Sequence, residues 1–208
     1  MKRSVILFLI GMILVSSCKK DETTSTPSEI KIGSQTWKTQ NLNVSSFRNG
    51  DLIPEVKSNF EWRMAGKSKK PVWCYSENHA SNKLYNWYAA TDPRGLAPEG
   101  WHIPSINEIQ LLIDNLGGQN SAGNKLKSKS DWKDNGNGTN ESGFNGFPSG
   151  MRDEEGIFTY SGVYGYWWSL YEFNQSEVSF LYLSHTGSSA IFLTEKKECG
   201  LSIRCVKD

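Results

Sequence analysis

Residues 84–118 read LYNWYAATDPRGLAPEGWHIPSINEIQLLIDNLGG, and this stretch decides the fold class. Its second half carries the clearest local signal in the chain. Ser105 stands three residues before Glu108, the spacing of a capping box in which each side chain takes an otherwise orphan backbone N–H. Ile109, Leu112, Ile113 and Leu116 follow on one helical face, and Gly117 stands at the C′ position. In the first half, Leu84, Trp87 and Tyr88 at i, i+3 and i+4 predict a shorter helix stopped by Asp92-Pro93. A Pro/Gly loop ending in Gly100-Trp101-His102-Ile103-Pro104 joins the two.

Outward from this stretch the pattern changes to strands and turns. On the N-terminal side, EIKI-GS-QTWKT reads as a hairpin, because Gly33-Ser34 supplies the positive φ of a two-residue turn and sets Ile30 opposite Trp37. Residues 45–71 are polar and read as a loop, whose Lys67-Ser68-Lys69-Lys70 segment is a solvated face rather than a binding patch. Val72–Tyr75 is a short apolar run. Residues 121–142, rich in Gly, Asn, Asp and Lys, read as a long irregular segment. Beyond it, strands are expected at Ile157–Tyr160, Tyr164–Ser169, Val178–Leu183, Ala190–Thr194 and Leu201–Val206. Val178, Phe180 and Tyr182 alternate with Ser179, Leu181 and Leu183, so both faces of that strand are partly covered. Two short helices packed on antiparallel strands make a loop-rich α+β domain.

Bulk properties set the outer bounds. A chain of 208 residues with 37% hydrophobic content buries one good core. The 23 basic and 22 acidic residues are balanced, which excludes the electrostatic footprint of a nucleic-acid binder. Aromatic residues, 12% of the chain with 8 Trp, supply buried area that short helices cannot.

The N-terminus reads as an address. Lys2 and Arg3 precede the apolar run Val5–Val15, which is too short for a mature membrane span. The run ends Val15-Ser16-Ser17-Cys18, which resembles the lipobox of bacterial lipoproteins. That resemblance implies a signal peptide at 1–17 and a mature chain starting at a lipidated Cys18, anchored in the membrane by its acyl chains. Residues 18–29 then form a flexible tether without apolar residues after the cysteine, and the folded domain spans 30–208. Lys20-Asp21-Glu22 resembles the export signal of surface lipoproteins, so an outer-membrane location exposed to the cell surface is expected, with a periplasm-facing orientation as the alternative.

Several features of the chain bear on a candidate site. Gly146-Phe147-Pro148-Ser149-Gly150 is spaced G-x-x-S-G, not as a nucleophile elbow, and reads as a turn. Asp153-Glu154-Glu155 sits in a hairpin loop with nothing to split the carboxyl pKa values, so a glycosidase is not indicated. Asp131, Asp134, Asn135, Asn137, Asn140 and Glu141 offer oxygen ligands for a structural calcium ion but fail EF-hand spacing; an Asx-rich loop is the default, and no cofactor is expected. His79, His102 and His185 stand alone, without ligand spacing. Trp167 and Trp168 face opposite sides of a strand, so one of them, beside Tyr171, is a candidate ligand contact, the competing reading being that both are core. Cys74, Cys199 and Cys205 allow one bridge with three pairings in an oxidising compartment.

WKTQNL, WCY, LYNWYAA, DPRGLAPEGWHIPS, SGFNGFPSGMR, GYWWS and GLSIRCVKD occur in an order that resembles the Fibrobacter succinogenes major paralogous (FISUMP) domain family, over residues 30–208. The resemblance implies a secreted or lipid-anchored protein without an assigned activity. It also implies a fold related to formylglycine-generating enzyme, itself a variant of the C-type lectin fold. Trp101-His102-Ile103-Pro104-Ser105 and Leu201-Ser202-Ile203-Arg204-Cys205-Val206 stand where that fold starts its second helix and ends its last strand. The enzyme's copper-binding cysteine pair has no counterpart in Phe180–Leu183 or Ala190–Thr194, and the three-His cluster of related iron enzymes is missing too. The Glu-Pro-Asn, Gln-Pro-Asp and Trp-Asn-Asp calcium ligands of C-type lectins are also absent. Membership of Tyr164–Ser169 in a shared motif favours packing roles for Trp167 and Trp168. Shared motifs likewise make Cys74–Cys205 the first choice of bridge, with Cys199 as the alternative partner.

The sequence is therefore expected to encode a lipid-anchored envelope protein with a non-catalytic binding or adhesion domain for an extracellular polysaccharide or protein. The alternatives are a formylglycine-generating-type oxidoreductase with a rearranged site and a purely structural surface component.

Overall fold

The structure, a computed structural model, describes residues 28–77 and 79–208. The expected signal peptide, the lipidated Cys18 and nearly all of the expected tether lie outside the described residues, as does the side chain of His79. The chain opens on the hairpin β1 (Glu29–Ile32) and β2 (Gln35–Lys38), with Ile30 opposite Trp37 and Gly33 at φ 60° in the turn, as the Gly-Ser pair requires. Then follow α1 (Asn59–Lys67), β3 (Trp73–Ser76), β4 (His79–Asn86), α2 (Trp87–Ala90), β5 (Trp101–His102), α3 (Ile106–Asn115) and α4 (Gln119–Leu126). From Met151 onward every regular element is a strand: β6 (Met151–Arg152), β7 (Phe158–Thr159), β8 (Tyr164–Glu172), β9 (Glu177–Ser184), β10 (Ala190–Lys196), β11 (Gly200–Leu201) and β12 (Val206–Lys207). The architecture is α+β and loop-rich. Among the described residues no helix is long and apolar enough to cross a membrane.

The strands form three antiparallel sheets, ordered β1-β2-β12-β5, β10-β9-β8 and β3-β4-β11-β6-β7. The last nine residues stitch all three together. Gly200 and Leu201 pair with β4 in the five-stranded sheet, Ser202 bridges Trp167 of β8, and Val206 pairs with Trp37 and His102 in the four-stranded sheet. The expected single strand Leu201–Val206 is therefore split, because one short segment pairs in three sheets in turn.

The β8–β9 pair divides the interior. Trp168, Tyr166, Val178 and Phe180 face one core, while Trp167, Leu181 and Leu183 face a second that α3 and α4 close with Ile109, Leu112, Ile113, Ala122 and Leu126. This is the two-faced burial expected from the alternation. Each fully buried aliphatic or aromatic side chain contributes about 1.5–3 kcal/mol of burial. A third, smaller core lies under α1 and holds Trp62, Cys74 and Leu84.

Helix α3 has its capping box: Ser105 Oγ accepts from the Glu108 amide at 3.3 Å, and Glu108 Oε2 accepts from the Ser105 amide at 2.8 Å. Gly117 follows the C-cap at φ 96°. Three local readings need correction. Leu84 and Tyr85 lie in β4, not in a helix, with opposite faces in different cores; Asn86 ends the strand and caps the single turn α2, its Oδ1 accepting from Val72 N and Ala89 N. The stretch 45–71 contains α1, whose Ser58 cap accepts from the Glu61 amide at 3.2 Å, the same Ser-x-x-Glu spacing as in α3. The segment 121–142 is helical as far as Leu126 and irregular only beyond it.

Candidate functional site

One end of the β8–β9–β10 sheet and the β6–β7 hairpin enclose an open depression of about 570 Å³. Strand alternation explains its lining. Tyr164 and Tyr166, two residues apart on β8, share a face, and Tyr166 pairs directly with Tyr182 on β9. Ring centroids lie 5.1 Å apart for Tyr164 and Tyr182, 5.8 Å for Tyr166 and Tyr182, and 5.4 Å for Tyr166 and Phe180. Phe180 and Tyr166 are buried and form the floor; Tyr164 and Tyr182 are half-buried walls.

Tyr160 supplies the rim. It is 53% exposed, its ring stands 5.1 Å from that of Tyr164, and its backbone has φ 63°. A bulky residue in the left-handed region costs about 1–3 kcal/mol, and such strain concentrates where a side chain must be presented in one direction. Gly150 makes the turn feasible from below: it has φ 64°, and a Cβ there would lie 2.4 Å from the Thr159 carbonyl oxygen.

The opposite wall is acidic. Asp153 turns the hairpin, its Oδ1 accepting from Glu155 N at 3.0 Å and Ile157 N at 2.8 Å. Glu154 pairs with Lys196, and that ion pair holds its carboxyl below the usual range. Glu195 and Thr194 of β10 complete the edge. Burial pushes the Tyr166 and Tyr182 phenols up, so both stay neutral at physiological pH. The depression therefore offers flat aromatic faces beside carboxylate acceptors, and its ion-paired Glu154 is held as a base conjugate, not as a proton donor.

The sequence-predicted candidates fall elsewhere. Trp167 and Trp168 are 1% and 0% exposed, one in each main core, so neither ring meets a ligand and their candidacy as contacts is overturned. Both faces of the strand are covered, which leaves no wet side for either ring. Trp168 Nε1 donates to the Tyr85 carbonyl at 2.8 Å and Trp167 Nε1 to Asn41 Oδ1 at 2.9 Å. Tyr171 is 45% exposed but does not line the depression.

The expected Cys74–Cys205 bridge is also absent. The three cysteines among the described residues are free and buried, Cys74 in the core under α1 and Cys199 and Cys205 in the largest core. Pairing opposite Leu84 turns Cys74 onto the face away from Cys205. Burial pushes the Cys74 thiol up to about 11 and that of Cys205 to about 12, and raises Cys199 further, so none is a thiolate nucleophile at neutral pH.

The Asp/Asn loop spends its oxygens on its own turns. Asp131, Asp134, Asn135 and Asn140 have positive φ, Asn137 Oδ1 accepts from Trp132 N, and Asn140 Oδ1 accepts from Asn145 N. Among the described residues no group of three His, Cys, Asp or Glu is placed to hold a metal ion. Ser149, in the G-x-x-S-G turn, is buried. His102 bridges two carboxylates, Nδ1 to Asp208 and Nε2 to Glu108, each at 2.7 Å.

The tyrosines were missed because each reads as an ordinary strand residue. The legible signal was the shared phase of Tyr164, Tyr166 and Tyr182; nothing in the sequence announced Tyr160. Searches for similar curated proteins and for similar solved structures found no match to the chain. A family model described as the Fibrobacter succinogenes major domain matches residues 30–207, nearly the whole described chain, and the protein belongs to that family.

Proposed function

We propose that this is a lipid-anchored protein of the bacterial outer membrane, exposed at the cell surface, whose folded domain is a non-catalytic module that binds extracellular polysaccharide. The tyrosine-lined depression carries the reading. A pyranose ring has an apolar C–H face and a rim of hydroxyls; Tyr160, Tyr164 and Tyr182 match the first, and Asp153, Glu154 and Glu195 accept hydrogen bonds from the second. At about 570 Å³ the depression falls within the span of small-ligand sites, about 300–1,000 Å³. A lectin-like fold related to formylglycine-generating enzyme is consistent with the motif order and the α+β architecture. The lipobox at Val15–Cys18 supports the anchor.

Binding to a panel of soluble polysaccharides by affinity electrophoresis tests the reading. Tyr160→Ala, at an exposed position, is expected to weaken retardation at least tenfold while leaving the thermal midpoint in place. Silence across the panel, or equal retardation of parent and variant, would falsify it. Stoichiometric copper or iron in the purified protein would instead favour the oxidoreductase alternative. Palmitate labelling that survives Cys18→Ser would remove the anchor.

A further inference from the structure

A second concavity, a cleft of about 440 Å³, is lined almost entirely by uncharged polar side chains. Gln40, Asn41, Asn43, Asn82 and Asn145 supply side-chain amides, Phe147 one apolar wall, and Asp131 the only charge among the described residues that line it. Among the described residues no cation lines it, which disfavours anionic ligands.

Asn41 is the built element of this cleft. Its Oδ1 accepts three hydrogen bonds, from Trp167 Nε1 at 2.9 Å and from Arg204 Nε and Nη2 at 3.2 and 2.7 Å. Arg204 is itself 1% exposed, has no carboxylate partner, and is pinned by the carbonyls of Lys38 and Phe144 and by stacking 4.2 Å above the Phe144 ring. Three donors on one oxygen fix the amide's orientation without ambiguity, since a flipped amide would set N–H against N–H. The other branch, Asn41 Nδ2, is buried and makes no hydrogen bond among the described residues. An unmet buried N–H costs about 1–3 kcal/mol, and buried amides ordinarily find partners. Here the fold spends two buried side chains on holding an amide whose donor is left unmet.

We infer that this cleft is a separate binding site for the acetamido group of an N-acetylated amino sugar. The acetamido carbonyl is the acceptor that Asn41 Nδ2 lacks. Neighbouring side-chain amides have oxygens for the acetamido N–H, and Phe147 packs the methyl. Asp131 and Ser81 accept from sugar hydroxyls. The exposed side chains of Gln40 and Asn43 form the rim, move to admit the group and then close on it with their amides. A peptide fits less well, because only one apolar residue lines the cleft to take its side chains. The site is independent of the tyrosine depression, with which it shares no lining residue.

The test is calorimetric titration of the full-length chain in detergent with triacetylchitotriose, using deacetylated chitotriose, maltotriose and acetylated trialanine as comparisons. Triacetylchitotriose is expected to bind and the other three to bind at least tenfold more weakly. Asn41→Asp keeps an oxygen that accepts from Arg204 and Trp167, exchanges the donor for a second acceptor and adds a carboxylate paired with Arg204; it is expected to lower affinity at least tenfold without lowering the thermal midpoint. Should that variant fail to fold, the exposed double variant Gln40→Ala/Asn43→Ala gives the same reading. Tyr160→Ala is expected to leave this titration unchanged, which separates failure here from failure at the depression. No heat with triacetylchitotriose, equal affinity for maltotriose or the peptide, or full affinity in the Asn41 and rim variants would overturn the assignment.

Discussion

The tyrosine depression and the amide cleft are built by opposite means. The first is aromatic and acidic, and its rim residue sits in a strained backbone conformation. The second is neutral, and its central residue is held through its side chain. Each rests on a buried arginine that has no carboxylate partner among the described residues. Arg152 donates to the carbonyls of Val56, Lys57 and Gly156 at 2.6, 2.9 and 2.9 Å and lies between the Trp62 and Phe158 rings, so it fixes the backbone of the β6–β7 hairpin. Arg204 instead grips a side chain, that of Asn41. A guanidinium serves both tasks because its five donors fan out in one plane and satisfy carbonyls from several segments at once. The lesson is that a buried charge in this fold organises loops, and the loops carry the recognition.

The largest expected effect comes from removing these pins. Arg204→Met removes the arginine donors of the Lys38 and Phe144 carbonyls and two of the three on Asn41 Oδ1, which keeps Trp167 Nε1; at about 1–3 kcal/mol for each unmet carbonyl, chemical denaturation is expected to show a loss of about 2 kcal/mol or more. Acetamido binding disappears with it while polysaccharide binding at the depression persists. Arg152→Met is expected to do the reverse. If either substitution abolishes both activities in protein that remains folded, the two regions are not held independently.

A smaller effect is expected from Gly150→Ala. It places a Cβ against the Thr159 carbonyl at a left-handed position, which costs about 1–2 kcal/mol and displaces the turn that presents Tyr160. Polysaccharide affinity falls and the cleft titration does not move. Unchanged affinity at the depression would show that Tyr160 is not held by this turn.

The smallest effect concerns pH, and it should touch neither region. Partial burial pulls the His102 pKa down, but hydrogen bonds and charge from Asp208 and Glu108 outweigh it, and the net shift is upward. Partial burial likewise works to raise Glu108, yet hydrogen bonds from Ser105 and the contact with His102 hold it low. The His102 contribution is therefore complete below the unfolded value near 6.5 and is lost as pH rises through the raised folded value. The Glu108 contribution is present above its unfolded value near 4.5 and is lost as pH falls through the lowered one. Both groups are partly exposed, so the expected change is under about 1 kcal/mol. Thermal midpoints of the parent and His102→Gln, compared from pH 5 to 8, check this: the parent should lose stability towards pH 8 and the variant should not.

How much of this was legible beforehand follows from range. The capping box at Ser105–Glu108, the hairpin at Gly33-Ser34 and the two-faced alternation of β9 depend on neighbours within a few residues, and they stand in the structure as read. Helix α1 carried the same local mark, Ser58 and Glu61, in a polar stretch whose apolar face was sparse. Leu84, Trp87 and Tyr88 mimicked a helical face because one strand residue and a following turn share that spacing. The exposed ends of β8 and β9 cannot be told from their buried middles without knowing what packs on them, and so Trp167 and Trp168 looked like contacts while the tyrosines looked like filler.

By itself the sequence determined the class and the family, since periodicity, capping and motif order are written along the chain. Only the tertiary structure decided which rings are wet, that Cys74 and Cys205 face different cores, and that Asn41, Asn145, Trp167 and Arg204 meet. Those outcomes depend on contacts between residues more than a hundred positions apart, as Asn41 and Arg204 are, and no local pattern encodes them.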